Sequence, residues 1–119
     1  MNVRSSCTEL KNYFAPRILD EVNDHYVKVV KIKGQEVPWH HHENEDELFY
    51  IIDGQLLMEI EDQGGFVMKK GDLFVVRKGT NHRVSSDDEC LIMLIEPKTT
   101  EHTGKVKSAI SKSIEEQRY

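Results

Sequence analysis

Two cysteines, three prolines and one tryptophan are spread over 119 residues. Cys7 and Cys90 stand alone with no C-x-x-C pair, which removes a thiolate zinc site and a dithiol redox centre from consideration. Two isolated thiols suit a reducing compartment better than a disulfide. No apolar run approaches the roughly 20 residues needed to cross a bilayer as a helix. Met1 to Ser6 lack the apolar stretch of a secretory signal, so a cytoplasmic protein with no membrane partner is expected. Clustered basic residues are missing as well. Residues 34–97 carry a net charge of −9, against +2 before them and +2 after, which argues against a nucleic-acid partner. There is no internal repeat and no low-complexity segment.

What remains is 31% charged and 38% hydrophobic residues, an ordinary soluble balance. The length fits a single domain over residues 1–119, with a barrel core at about 17–97 and a polar tail at 98–119. The middle of the chain reads as short strands cut by turn residues. Strands are predicted over Arg17–Val22, Tyr26–Lys33, Leu48–Ile52, Leu56–Glu61, Phe66–Met68, Leu73–Val76, Arg83–Ser85 and Cys90–Ile95. Gly64-Gly65 reads as a hairpin turn and Asp87–Glu89 as an acidic loop. On Leu56–Glu61 the residues Leu56, Met58 and Ile60 share one face. Many short strands at near-regular spacing indicate an antiparallel sandwich or barrel. The ends read differently. Thr8–Phe14 suits one or two helical turns with Thr8 as N-cap. Val106, Ala109, Ile110 and Ile114 have the spacing of a short amphipathic helix, with a frayed tail as the alternative.

Six histidines are present, three of them consecutive: His40, His41 and His42. In extended chain His40 and His42 share a face, and His41 points the other way. Glu47 is the last acid before an apolar strand and shares a face with Phe49 and Ile51. His82 follows the turn at Gly79. Two imidazoles, a carboxylate from a neighbouring strand and a third imidazole from a distant one make an N3O set suited to a divalent first-row metal. An octahedral ion in that set keeps two positions for other ligands. The competing reading is a solvated loop cluster of histidines and acids.

The glycine framework around these residues is specific. Gly34, His40, His42, Glu47 and Gly54 resemble the first motif of the cupin superfamily at every fixed position. Gly71, Arg77, Gly79 and His82 resemble the second, and residues 55–70 are a suitable spacer between them. Arg77 stands where the family usually has Pro, and Ser86 where it usually has Asn. The stretch Phe14–Val30 and the Glu96-Pro97…Thr103-Gly104 run are similar to small cupins labelled sugar-phosphate-isomerase-like, a group in which Asn would be expected at His102. The resemblance implies an all-β, antiparallel jelly-roll barrel with short helical or irregular ends. It also implies that His40, His42, Glu47 and His82 hold a divalent transition metal: Fe, Mn, Ni or Zn.

Other candidates weigh less. Trp39 suits packing at the barrel mouth or against a partner. Glu43, Glu45, Asp46 and Arg77 suit a solvated turn. His25 and His102 read as surface groups, and Cys90 as a buried inert thiol rather than a reactive one. By alternation the inward positions near the ligands are Phe49, Ile51, Val84 and residues such as Met58 or Ile92. None is cationic, which disfavours a sugar phosphate, and no second proton-transfer group is aimed at the metal. Leu48, Tyr50 and Ile52 make the outer face of their strand apolar too, so the N-terminal segment or a second subunit must cover it, and a homodimer is expected. The functional expectation is a metal-binding protein for a small organic molecule. A metal-dependent dioxygenase comes first, ahead of a sugar isomerase or epimerase and a non-catalytic binding module.

Overall fold

The structure, a computed structural model, describes residues 1–118; Tyr119, the last residue of the expected tail, lies outside them. In chain order the elements are α1 (Val3–Cys7), β1 (Arg17–Val22), β2 (His25–Gly34), β3 (Glu47–Asp53), β4 (Gln55–Ile60), β5 (Gly64–Lys69), β6 (Leu73–Val76), β7 (His82–Pro97), β8 (His102–Lys105) and a 3-10 turn, η1 (Glu116–Arg118). Every predicted strand is found, most within a residue or two. No helix among the described residues is long and apolar enough to cross a membrane.

Strand β7 is the spine. Its first residues, His82–Ser85, pair with β4, and its later ones pair with β2 on one side and β3 on the other, all antiparallel. It therefore joins the path β1-β2-β7-β3-β6 to the path β5-β4-β7, and the sheet curls into the expected jelly-roll barrel. Strand alternation fills the interior. His82, Val84, Ser86, Cys90, Ile92, Leu94 and Glu96 are buried along β7, and Phe49, Ile51, Leu56, Met58 and Ile60 are buried on β3 and β4.

Three expectations are corrected. The acidic stretch Asp87–Glu89 is no loop: β7 runs through it as a bulge, with the register against β2 shifting between Ile32 and Gly34. The acids reach water sideways, while the Ser86 hydroxyl ties the bulge by bonding Gln55 O at 2.9 Å and the Asp88 carbonyl. Gly64 and Gly65 belong to β5, and the hairpin turns at Glu61–Gln63, where Asp62 takes a φ of 65°. The N-terminal helix lies earlier than Thr8–Phe14. Asn2 caps it by accepting the Ser5 N–H, Thr8 ends it, and Phe14, with a φ of 58°, cannot continue a helix.

The C-terminal segment forms no α-helix over residues 106–114. Its serines take the backbone groups a helix would need. Ser111 Oγ accepts from Ser108 N, and Ser113 and Glu116 bond each other's backbone. At the other end Cys7 and Leu10 pack on Val29, with Val3, Leu19, Ile52 and Leu91 around them, so the N-terminal segment covers the outer face of β3 at Ile52.

Gly104 sets how closely β8 approaches the histidine segment. Its φ is +58°, and a Cβ there would strike the carbonyl oxygen of His41. Gly64 has a φ of +76° with nothing within 4 Å of such a Cβ. Both substitutions to Ala carry a backbone penalty of about 1–2 kcal/mol. Gly104→Ala adds the clash and should lose at least about 2 kcal/mol more. Urea midpoints of the two variants measure the difference, and equal midpoints would contradict the close approach.

Candidate metal centre

The site begins with a two-residue backbone bridge. His40 N–H donates to His82 O at 3.0 Å, and His82 N–H donates to His40 O at 2.9 Å. The bridge sets the two histidines directly opposite, with ring centroids 4.5 Å apart. His42 follows two residues on, its ring 5.1 Å from that of His40 and 5.9 Å from that of His82. Gly79 N–H fixes the His42 carbonyl at 2.7 Å. His40, His42 and His82 are all buried, while His41 is exposed, as the alternation requires. Ligand atoms of the three buried imidazoles lie within 4.8 Å of one another.

Hydrogen bonds select the tautomers. His40 Nδ1 lies 2.8 Å from Pro38 O, and His82 Nδ1 lies 2.9 Å from Thr80 O. A carbonyl only accepts, so each Nδ1 carries the hydrogen and each Nε2 keeps its lone pair. His82 Nε2 and both ring nitrogens of His42 are buried without a hydrogen-bond partner among the described residues. Leaving such groups unsatisfied costs about 1–3 kcal/mol each unless something else binds them. Glu47, at the start of β3, brings Oε1 to 3.6 Å from His42 Nε2 and 3.7 Å from His82 Nε2. Burial alone would raise the Glu47 carboxyl. The Glu96 carboxyl and the imidazoles of His42 and His82 outweigh it and hold Glu47 well below the usual carboxylate range. Three clustered imidazoles with free nitrogens, two of them beside a carboxylate, fit a divalent first-row metal in a buried pocket.

The family model for the cupin domain matches residues 28–96, a stretch that contains all four of these side chains. The chain belongs to the cupin family. A Bacillus subtilis protein, YdbB, is 36% identical over 100 residues, 84% of this chain and 88% of that one. A cupin-2 domain protein from Shewanella frigidimarina has a TM-score of 0.78 and 34% identity, covering 82% of this chain and 94% of that one. An oxidoreductase from Arthrobotrys oligospora is 35% identical over 63 residues, 53% of this chain but 25% of that protein. A sugar phosphate isomerase of the cupin superfamily from Silicibacter pomeroyi has a TM-score of 0.57 at 20% identity, with 66% of this chain and 53% of that one covered, a likeness of fold alone.

Beyond the histidines the cupin cavity holds polar groups that sequence reasoning missed. Lys28 Nζ, 1% exposed, pairs with Glu96 Oε1 at 2.7 Å and also donates to Gln117 Oε1. Lys28, Glu96, His102 and Gln117 line one cavity with His40, Glu47 and His82, among Val30, Ile32, Phe49, Val84, Ile92 and Leu94. The expectation of no inward cation and no second proton-transfer group is therefore corrected. The signal was alternation carried to the strand ends: Lys28 shares a face with Tyr26, Val30 and Ile32, and Glu96 with Ile92 and Leu94. Nothing in the sequence marks Gln117. Burial and the nearby Glu47 charge push the Glu96 carboxyl well up, with Lys28 opposing. Glu96 Oε2 has no hydrogen-bond partner among the described residues, so Glu47 acts on it through the field rather than a formed bond.

His102 is the second correction. It lines the cavity rather than the surface, and burial followed by the Lys28 charge lowers it to about 4. The remaining candidates fall outside. Trp39 stacks on Arg83 at 4.8 Å. The Asp46 carboxylate accepts Lys78 N at 2.8 Å and meets Arg77 at 3.4 Å in an exposed turn, Glu43 and His25 are exposed too, and the half-buried Glu45 accepts from Thr99 Oγ1 at 3.0 Å. Cys90 is fully buried in the core, and burial, then the Asp53 charge, pushes its thiol up to about 12.

These shifts give the metal-free protein a pH signature. His40, lowered to about 4 chiefly by burial, and His102 are neutral when folded and take up protons when unfolded between pH 6.5 and about 4. Their stabilisation is complete above pH 6.5 and is lost as the pH falls. Glu96, raised above its ordinary range, acts in the opposite sense. Each proton bound in excess by the unfolded state is worth about 1.4 kcal/mol per pH unit. Urea unfolding of chelator-treated protein should show stability falling from pH 6.5 to 4.5. In His102→Asn the fall should be shallower by about one such proton, and an unchanged slope would contradict the enclosure of His102 in the cavity.

Proposed function

We propose that this cupin is a metal-dependent enzyme acting on a small organic molecule, with His40, His42, Glu47 and His82 holding the ion. The observation that carries it is the set of buried imidazole nitrogens, His82 Nε2 and both of His42, left without partners around Glu47. When bound, a divalent ion in such a set supplies an electrophilic or redox-active centre. A purely structural role is disfavoured because structural sites close their coordination shell, whereas here a cavity adjoins the ligands.

The protein's own groups prepare that cavity. The Pro38 and Thr80 carbonyls hold the His40 and His82 rings in the tautomer that presents Nε2. The aliphatic wall of Val30, Ile32, Val84, Ile92 and Leu94 excludes water and strengthens every charge inside. The volume is about 50 Å³, room for about three or four water molecules, which suits a small substrate or the reactive end of a larger one. The Glu96 carboxyl, raised by burial and by the Glu47 charge, holds a proton more readily than an ordinary carboxylate and can give or take one there.

Dioxygenase chemistry is the first reading. The aliphatic cavity and the oxidoreductase relative at 35% identity support it. Isomerisation or epimerisation of a sugar derivative is the second, and Glu96 beside Glu47 favours it as a proton-transfer group. Oxygen uptake by iron-loaded protein against small thiols, diketones and catechols separates the two. Uptake with one of these is expected, and His82→Ala should lower it at least about 100-fold. Uptake that survives in the variant would remove the metal from the reaction.

A homodimer and a cytoplasmic location belong to the same proposal. The N-terminal segment covers β3 at Ile52, Leu48 and Tyr50 are half-buried, and Leu57, Phe66, Val67 and Leu73 are exposed on β4, β5 and the start of β6. Among the described residues β5 pairs only with β4, leaving an edge that a second copy can extend. Light scattering at micromolar concentration should give twice the chain mass, and a monomer would contradict it.

A further inference from the structure

The C-terminal segment does something at the cavity beyond closing the chain. Residues 106–118 contain no strand, and the turn η1 delivers one polar side chain deep into the barrel. Gln117 is 1% exposed; its Oε1 accepts from Lys28 Nζ, and its Nε2 donates to Lys112 O at 3.0 Å. Lys112 N–H in turn donates to His102 Nδ1 at 2.9 Å. A backbone N–H only donates, so His102 Nδ1 is bare and its hydrogen sits on Nε2. The same few residues thus tie together an ammonium, a carboxamide and an imidazole that all line the cavity.

Lys28 needs an explanation of its own. It is the one Lys or Arg among the described residues lining the cavity. Burying the Lys28–Glu96 pair in an aliphatic barrel gains little stability, because an apolar pair of similar volume is as stable or more so. A carboxamide oxygen resting on a buried ammonium imitates a carboxylate oxygen with less charge. A groove of about 560 Å³ lies between residues 98–104 and 107–117, so the segment that carries Gln117 faces solvent on one side. Its bonds within residues 106–118 are turn and serine contacts, the low-stability end of a fold.

We propose that Lys28 anchors an anionic oxygen of the ligand, a small carboxylate or enolate, and that the Gln117 carboxamide occupies that place until the ligand displaces it. The inference rests on the metal reading, since a divalent ion offsets the Glu47 charge that would otherwise repel an anion. It adds a ligand class and a chain segment that yields to that ligand.

The probe is [13C]acetate, with acetamide as its neutral counterpart, followed by NMR titration of zinc-loaded protein whose zinc content has been measured. Acetate should bind and acetamide should not. Gln117→Ala should tighten acetate about tenfold by removing the internal competitor. Lys28→Met should weaken it at least about tenfold, and Lys28→Met/Glu96→Gln keeps the test valid if the single variant does not fold, because no buried charge is then left unpaired. Amide resonances of residues 106–118 should shift with acetate in the unsubstituted protein. Equal binding of acetate and acetamide, unchanged affinity without Lys28, or weaker binding in Gln117→Ala would overturn the proposal. Protein that takes up no zinc would overturn the metal reading and this inference with it, whereas loaded protein indifferent to Lys28 would overturn this inference alone.

Discussion

The site depends on the backbone bridge between His40 and His82. Two N–H···O bonds of 3.0 and 2.9 Å join a segment that is otherwise irregular to the first residue of the longest strand. The bridge and the Gly79 N–H bond to the His42 carbonyl together place His42, because residues 41–46 have no strand pairing of their own. Through the bridge, the phase of β7 is inherited by the histidine segment, and one alternation places His82, Val84, Ile92, Leu94 and Glu96 inside. The bulge at Asp87–Glu89 matters for the same reason. It absorbs extra residues while the inward parity continues from Ser86 to Cys90, with the Ser86 hydroxyl in the position where cupins usually have Asn.

A second constraint is the enclosure of charge. One end of the barrel holds Glu47, Glu96 and Lys28 in an aliphatic wall, and the three are coupled electrostatically. Burial raises Glu96, and neighbouring groups hold Glu47 low, so the two carboxyls differ sharply in proton affinity across a short distance. Pairs of acids separated in this way mark sites of proton transfer or ion binding rather than sites of stability. The imidazole nitrogens without partners say the same. Each would be a net loss to folding if nothing were ever bound to it.

Much of this was legible in the sequence because it rests on local rules. The strands followed from β-rich runs between turn residues, and the buried set His40, His42, Glu47 and His82 from alternation and motif spacing. The errors share a physical cause: tertiary contacts overrode local pattern. Asp87–Glu89 looked like a loop because acids mark loops, but Ser86 and the β2 register keep it in the strand. Residues 106–114 had helical spacing, yet Ser108, Ser111 and Ser113 bond the backbone instead. His102 lies far from either motif, and it reaches the cavity because Gly104 lets β8 close on His41. Lys28 and Glu96 were readable by the alternation that placed Ile92, while Gln117 depends on a turn with no sequence signature.

The central claim is that four side chains converge on one ion. Anomalous diffraction from crystals of untagged protein, recorded at the absorption edge of whichever metal it carries, tests this most directly. The account predicts one strong peak at about 2.0–2.3 Å from His40 Nε2, a His42 nitrogen, a Glu47 oxygen and His82 Nε2. A peak elsewhere, or protein that takes up no first-row metal at all, would contradict it.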